Sequence, residues 1–172
     1  MVGVASPGPV QGGRERGLII HKLFEEVLTG EILDEEARLT ARARELIGQL
    51  GLEPAGAAAT GISEQEVARV VVRTLALPEI AGMRGRLVPE LPVLASEDVG
   101  GVEVVTAGIV DALYLDEAGQ PRAAIDWKSD VDPDAAAAKQ YRGQVKRYLH
   151  VTGISEGLIV FVTGGTVVRV SA

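Results

Sequence analysis

The hydrophobic period of this chain changes near Arg84, and that change sets the order of its elements. Between Arg14 and Gly30, Ile20, Leu23, Phe24, Val27 and Leu28 recur three and four residues apart, which is the spacing of one helix face, and Gly30 stands where the helix should stop. Asp34 to Leu50 reads as a second helix, with Gly51 after it. Ser63 with Glu66 three residues on forms a capping box that opens a third helix, running to about Leu75 and stopping near Pro78. Past Arg84 the pattern is that of strands. Leu87 to Leu94 is interrupted by Pro89 and Pro92, which suits an edge strand because proline cannot donate to a central ladder. Gly101 to Leu115 and Arg122 to Ser129 form a hairpin around the turn Asp116 to Pro121. Asp132 to Thr152 is a helix with Asp132 as N-cap and Pro133 at its first position. Gly157 to Thr163 and Thr166 to Ser171 are closing strands joined at Gly164-Gly165.

This order predicts an α/β fold with a mixed central sheet flanked by helices, in a single domain over 14–172 after a loose Gly/Pro-rich tail at 1–13. Aliphatic packing must carry the core, since hydrophobic residues make up 47% of the chain and aromatics only 3%. The chain has no cysteine, so disulfides, thiolate zinc sites and iron–sulfur clusters are excluded; this also fits a cytoplasmic location. No apolar run approaches the roughly 20 residues needed to cross a bilayer, and no membrane role is expected. The net charge of −7 argues against indiscriminate polyanion binding unless a bound cation neutralises an acidic site or a basic partner assists.

The chemistry concentrates on two strands. In Ile125-Asp126-Trp127-Lys128, alternation puts Asp126 and Lys128 on one face and Ile125 and Trp127 on the other. A carboxylate and an ammonium on an otherwise apolar strand are either a surface ion pair or a site. The preceding strand ends its apolar run Gly108-Ile109-Val110 at Asp111, and hairpin pairing can bring Asp111 beside Asp126. Two carboxylates so placed repel unless a cation lies between them, and oxygen ligands suit Mg2+ or Mn2+. Gln144 and Tyr148 share a helix face one turn apart, with Tyr141 a turn earlier and Arg142, Lys146 and Arg147 nearby. That stretch reads either as an ordinary amphipathic helix or as a DNA-facing stripe.

Asp111…Asp126-Trp127-Lys128 resembles the motif of PD-(D/E)XK nucleases. Gly108-x-x-Asp111, Asp126-Trp127-Lys128-Ser129 and Gln144-x-x-x-Tyr148 are similar to the Gly-x-x-Asp, Asp-Tyr-Lys-Thr and Gln-x-x-x-Tyr segments of the RecB-like branch, as found on RecB- and AddA-type helicase-nucleases. Arg16-Gly17 followed by His21 resembles that branch's N-terminal helix. Trp127 and Ser129 depart from the usual Tyr and Thr without removing a catalytic group.

The resemblance implies a restriction-endonuclease-like αβββαβ core with extra N-terminal helices, and a Mg2+- or Mn2+-dependent deoxyribonuclease. It further implies work in DNA repair or recombination, as part of a helicase or beside one, with exonuclease and endonuclease action both open. Asp111 and Asp126 would ligate metal together with His21 and the Trp127 backbone carbonyl, and Lys128 would hold the attacking water or meet charge on the phosphate. Gln144, Tyr148 and Tyr141 would border the DNA. Glu90 would stand behind the ligands as a supporting carboxylate; Glu25, one helical turn after His21 on the same face, reads either as a carboxylate that orients the imidazole or as a solvated helix glutamate. The competing expectation is an inactive nuclease-fold module that binds DNA or scaffolds a helicase; retention of both carboxylates and the lysine favours the enzyme.

Overall fold

The computed structural model describes residues 10–172, so the tail proposed for 1–13 lies outside the described residues as far as residue 9. Four helices come first: α1 (Arg14–Leu28), α2 (Glu36–Gln49), α3 (Glu64–Leu75) and the single turn α4 (Pro78–Ala81). A 3-10 turn, Arg84–Arg86, leads into β1 (Leu87–Val99), β2 (Val102–Leu115) and β3 (Pro121–Lys128). Helix α5 (Ala135–Thr152) then crosses over to β4 (Glu156–Phe161) and β5 (Thr166–Ser171). The strands form one sheet in sequence order, antiparallel except where α5 makes β3 and β4 parallel. A parallel neighbour requires such a crossover, whereas the other pairs are closed by short turns. The expected α/β mixed sheet is therefore observed, with the proline-bearing β1 at one edge.

The sheet is apolar on both faces. Ile125, Trp127, Leu158 and Val160 join Ile20, Leu23, Phe24, Val67 and Val71 in a core under α1–α3. Ala124 and Ile159 join Val145, Leu149 and Ile154 in a second core under α5. Residues that alternate along β3 and β4 thus enter opposite cores, which is why these central strands read as continuous apolar runs.

The caps show where local chemistry ruled. The Ser63 hydroxyl accepts the Glu66 N–H at the start of α3, which is one half of the capping box; the Glu66 carboxylate does not return to the Ser63 N–H but accepts from Arg16 with both oxygens. At α5 the cap is Asp134, not Asp132: its Oδ1 accepts the Ala137 N–H at 2.7 Å. Both aspartates are competent caps, and the one used sets its carboxylate three residues before a free N–H. Pro78 does not simply end the helical region but opens α4 at its first position. β1 runs on to Val99, past the expected end at Leu94, because its residues beyond Leu94 still pair with β2 as far as Val99↔Val102.

Candidate active site

The β1–β2 ladder pairs Leu87↔Tyr114 through Val99↔Val102 in constant register, but the rung between Pro89↔Ala112 and Leu91↔Val110 is absent. The residues at that rung are Glu90 and Asp111. Glu90 has φ 51°, the one positive value at a non-glycine residue among those described. The hairpin turns over at this point. Leu87 and Ala112 pack into the core under α1–α3, whereas Leu91, Val93 and Val110 pack into the core under α5. Residues an even number apart should share a face, so the missing rung marks a local reversal that frees two facing carboxylates from the regular pleat.

Helix α1 brings the third member. Phe24 stacks on Trp127 with ring centroids 4.6 Å apart, docking the helix on β3. Three residues earlier, His21 reaches the same strand: its Nε2 lies 3.0 Å from the Trp127 carbonyl oxygen and its Nδ1 lies 3.7 Å from Asp111 Oδ1. A carbonyl only accepts, so Nε2 carries the proton, and the Nδ1 lone pair of the neutral ring faces Asp111. Burial lowers the His21 pKa, which favours that neutral ring. The other oxygen of Asp111 accepts the Trp127 N–H at 2.7 Å. Both backbone polar groups of residue 127 therefore fix site side chains. Ligand atoms of His21, Glu90 and Asp111 all lie within 4.8 Å of one another.

Asp126 and Lys128 follow on β3. Asp126 is 1% exposed, and neither carboxylate oxygen has a directed hydrogen bond. Lys128 Nζ stands 3.0 Å from its Oδ2, an ionic contact without hydrogen-bond alignment. The same ammonium donates to Gln144 Oε1 at 3.2 Å and lies 4.6 Å from the centre of the Tyr141 ring. Gln144 in turn donates to the Tyr148 hydroxyl at 3.0 Å, and the Tyr148 ring packs where a side chain on Gly108 would stand.

Burial pushes Asp111 up to about 6, against the help of the Trp127 N–H. Burial, and then the charge of Asp111, push Asp126 up to about 6. Glu90 is also raised, again by burial first. Three carboxyls resisting ionisation in one place, one of them buried against the Lys128 ammonium, together with an imidazole nitrogen, form a hard O/N donor set that fits a divalent cation.

The structure thus brings together His21, Asp111, Asp126, Trp127, Lys128, Tyr141, Gln144 and Tyr148. Glu90, expected only behind the ligands, stands inside the tight cluster, and Asp126 lies beside that cluster. Glu25 does not bond to His21; it pairs with Lys22 at 3.0 Å. Sequence reading gave no role to the Arg16 side chain. It is 1% exposed and donates to both Glu66 oxygens, to the Ser129 carbonyl and to Thr163 Oγ1, pinning the chain just past Lys128.

A mixed sheet flanked by helices, with its acidic residues on neighbouring strands and a lysine two residues after one of them, defines the restriction-endonuclease-like class. The chain belongs to the PD-(D/E)XK nuclease superfamily, whose family model matches residues 4–158. Nucleases of this superfamily use divalent metals, and with no cysteine the chain has no thiolates for an iron–sulfur cluster. Among solved structures the chain is similar to one titled "Crystal structure of SSO0001", at 15% identity over 92% of this chain and 78% of that one, with a TM-score of 0.45. No curated protein matches significantly. No helix among the described residues is long and apolar enough to cross a membrane.

Proposed function

We propose that this chain is a Mg2+- or Mn2+-dependent deoxyribonuclease that hydrolyses phosphodiester bonds in DNA repair or recombination, in the RecB-like manner and beside a helicase. The observation that carries the reading is the meeting of His21, Glu90 and Asp111 within 4.8 Å, next to the buried carboxylate of Asp126, which the Lys128 ammonium contacts at 3.0 Å. His21, Glu90, Asp111 and Asp126 would hold the cation, and the Trp127 carbonyl, which accepts from His21 Nε2, would orient that ring. When bound, the cation supplies Lewis-acid polarisation of the phosphate and a lowered water pKa. Lys128 places a positive charge where the phosphoryl oxygens gain negative charge. Gln144 and Tyr141 hold that ammonium in one position, and Tyr148 holds Gln144. The Trp127 peptide orients His21 and Asp111, so little reorganisation remains when substrate arrives.

The test is digestion of end-labelled single-stranded, linear duplex and closed circular DNA in Mg2+, Mn2+ or EDTA. The reading expects metal-dependent loss of linear DNA and survival of closed circles. Cutting of circles would replace the exonuclease assignment with an endonuclease, and resistance of every DNA in both metals would remove the enzyme.

A further inference from the structure

Helix α5 contains Lys139, Arg142, Lys146 and Arg147 and no acidic residue at all. Among the described residues, every other lysine and arginine except Arg14 is held by a carboxylate or a backbone carbonyl. The four cations of α5 are exposed and have no such partner among the described residues. An acidic protein that neutralises its cations internally has left a set of them free on one helix.

They do not all face the catalytic cleft. Tyr141, Gln144 and Tyr148 turn toward Lys128 and the sheet, and Val145 and Leu149 are buried. At about 100° per residue, Lys139, Arg142 and Lys146 lie roughly 140–160° around the helix from Gln144, while Arg147 lies about 60° from it, at the cleft edge. Lys139 and Arg142 are three residues apart and Arg142 and Lys146 four, so like charges stand over one another and weaken the isolated helix. Gly143 is half-buried and lies about 100° around the helix from Gln144, between Lys139 and Arg147, where an added Cβ would meet nothing within 4 Å. Nothing inside the protein requires that glycine, which itself disfavours helix; a phosphate approaching the backbone closely would.

We infer that the outer flank of α5 is a docking track for the duplex DNA backbone, distinct from the cleft that holds the scissile bond. It rests on the nuclease reading and adds a path for the DNA outside the active site. Charge complementarity selects the occupant: free cations and a bare helix surface fit a polyanion, and no apolar side chain belongs to the stripe. Lys139 to Lys146 spans about 10 Å of helix, which matches about three steps of a duplex strand at 3.4 Å each.

The test measures binding of the full chain to a labelled duplex in Ca2+ or EDTA across a salt series. The triple variant Lys139→Gln/Arg142→Gln/Lys146→Gln is compared with Arg38→Gln/Arg86→Gln/Arg169→Gln, which removes the same charge from paired surface cations. Each lost phosphate contact lowers the slope of log affinity on log salt by about 0.9, so the α5 variant should lose about 2.7 and the control almost nothing. The corresponding loss of salt sensitivity between 50 and 200 mM is about 40-fold. Equal slopes for wild type and the α5 variant, or equal losses in both variants, overturn the proposal. Cleavage by the wild type in Mn2+ is scored separately, so failure of the nuclease reading gives a different result from failure of the track.

Discussion

Glu90 and Asp111 face one another across the β1–β2 hairpin at the one rung missing from its ladder, and Glu90 holds φ 51° to do so. A left-handed backbone costs an L-residue roughly 1–2 kcal/mol, which glycine escapes. Glu90→Gly should therefore be more stable than Glu90→Ala by about 1 kcal/mol, seen as a higher melting temperature. Both variants should bind Mn2+ at least tenfold more weakly by calorimetry. Wild-type affinity in either would return Glu90 to the supporting role expected from sequence.

The raised carboxyls make a statement about pH. Asp126, pushed up to about 6, stabilises the metal-free fold in its protonated form; that contribution is complete below the ordinary value near 4 and is lost as pH rises through 6. Glu26, Asp34 and Glu64, held low by Arg42, Arg84 and Arg44, act in the opposite direction. The difference between wild type and Asp126→Asn therefore isolates the site. Without metal, the variant should be more stable than wild type at pH 7.5 by about 1–3 kcal/mol, and close to it at pH 4. Melting curves at the two pH values give the answer, and a variant less stable at pH 7.5 than at pH 4 relative to wild type contradicts the assignment.

Lys128 touches Asp126, one of the proposed metal ligands, as well as Gln144 and Tyr141. Lys128→Ala should lower kcat by about 10²–10³ while changing metal affinity little, since the ammonium acts where charge develops. Gln144→Ala should produce a smaller loss in the same sense. Single-turnover cleavage beside a metal titration separates these effects. A loss of DNA affinity with unchanged kcat would make Lys128 a phosphate clamp instead.

Arg16 ties α1 to α3 and to the segment after β3. Its guanidinium is 1% exposed and its partner Glu66 17% exposed, so Arg16→Ala strands a carboxylate and leaves the Ser129 carbonyl with the Thr163 hydroxyl alone. A loss of about 3–5 kcal/mol is expected in urea unfolding. Arg16→Lys should recover only part of it, because a lysine cannot meet Glu66, Ser129 and Thr163 together. A loss below 1 kcal/mol would show that the clamp is not needed.

Much of this was legible in the chain. Period and turn chemistry gave the element order, and alternation along Ile125–Lys128 placed Asp126 and Lys128 opposite Trp127. What stayed hidden depended on tertiary facts. Glu90 between two prolines looks like an edge-strand carboxylate, and only the missing rung and the positive φ turn it toward Asp111. The outer half of β1 was hidden by Ser96, Glu97 and Asp98, which break the apolar pattern while the backbone still pairs. Asp132 and Asp134 are equal candidates as caps until the helix start is known. Arg16 was legible only as part of a resemblance, because its four contacts come from residues 50 to 147 positions away.

The most direct measurement is Mn2+-dependent cleavage of a labelled linear duplex by wild type and Asp126→Ala, with circular dichroism and calorimetric Mn2+ binding on the same samples. Wild type should bind Mn2+ and cleave, EDTA should stop it, and Asp126→Ala should remain folded but lose about 10²–10³-fold in rate, the scale of removing one essential electrostatic group. Cleavage by Asp126→Ala at the wild-type rate, or a wild type that binds no Mn2+ and leaves the duplex intact, would contradict the nuclease assignment.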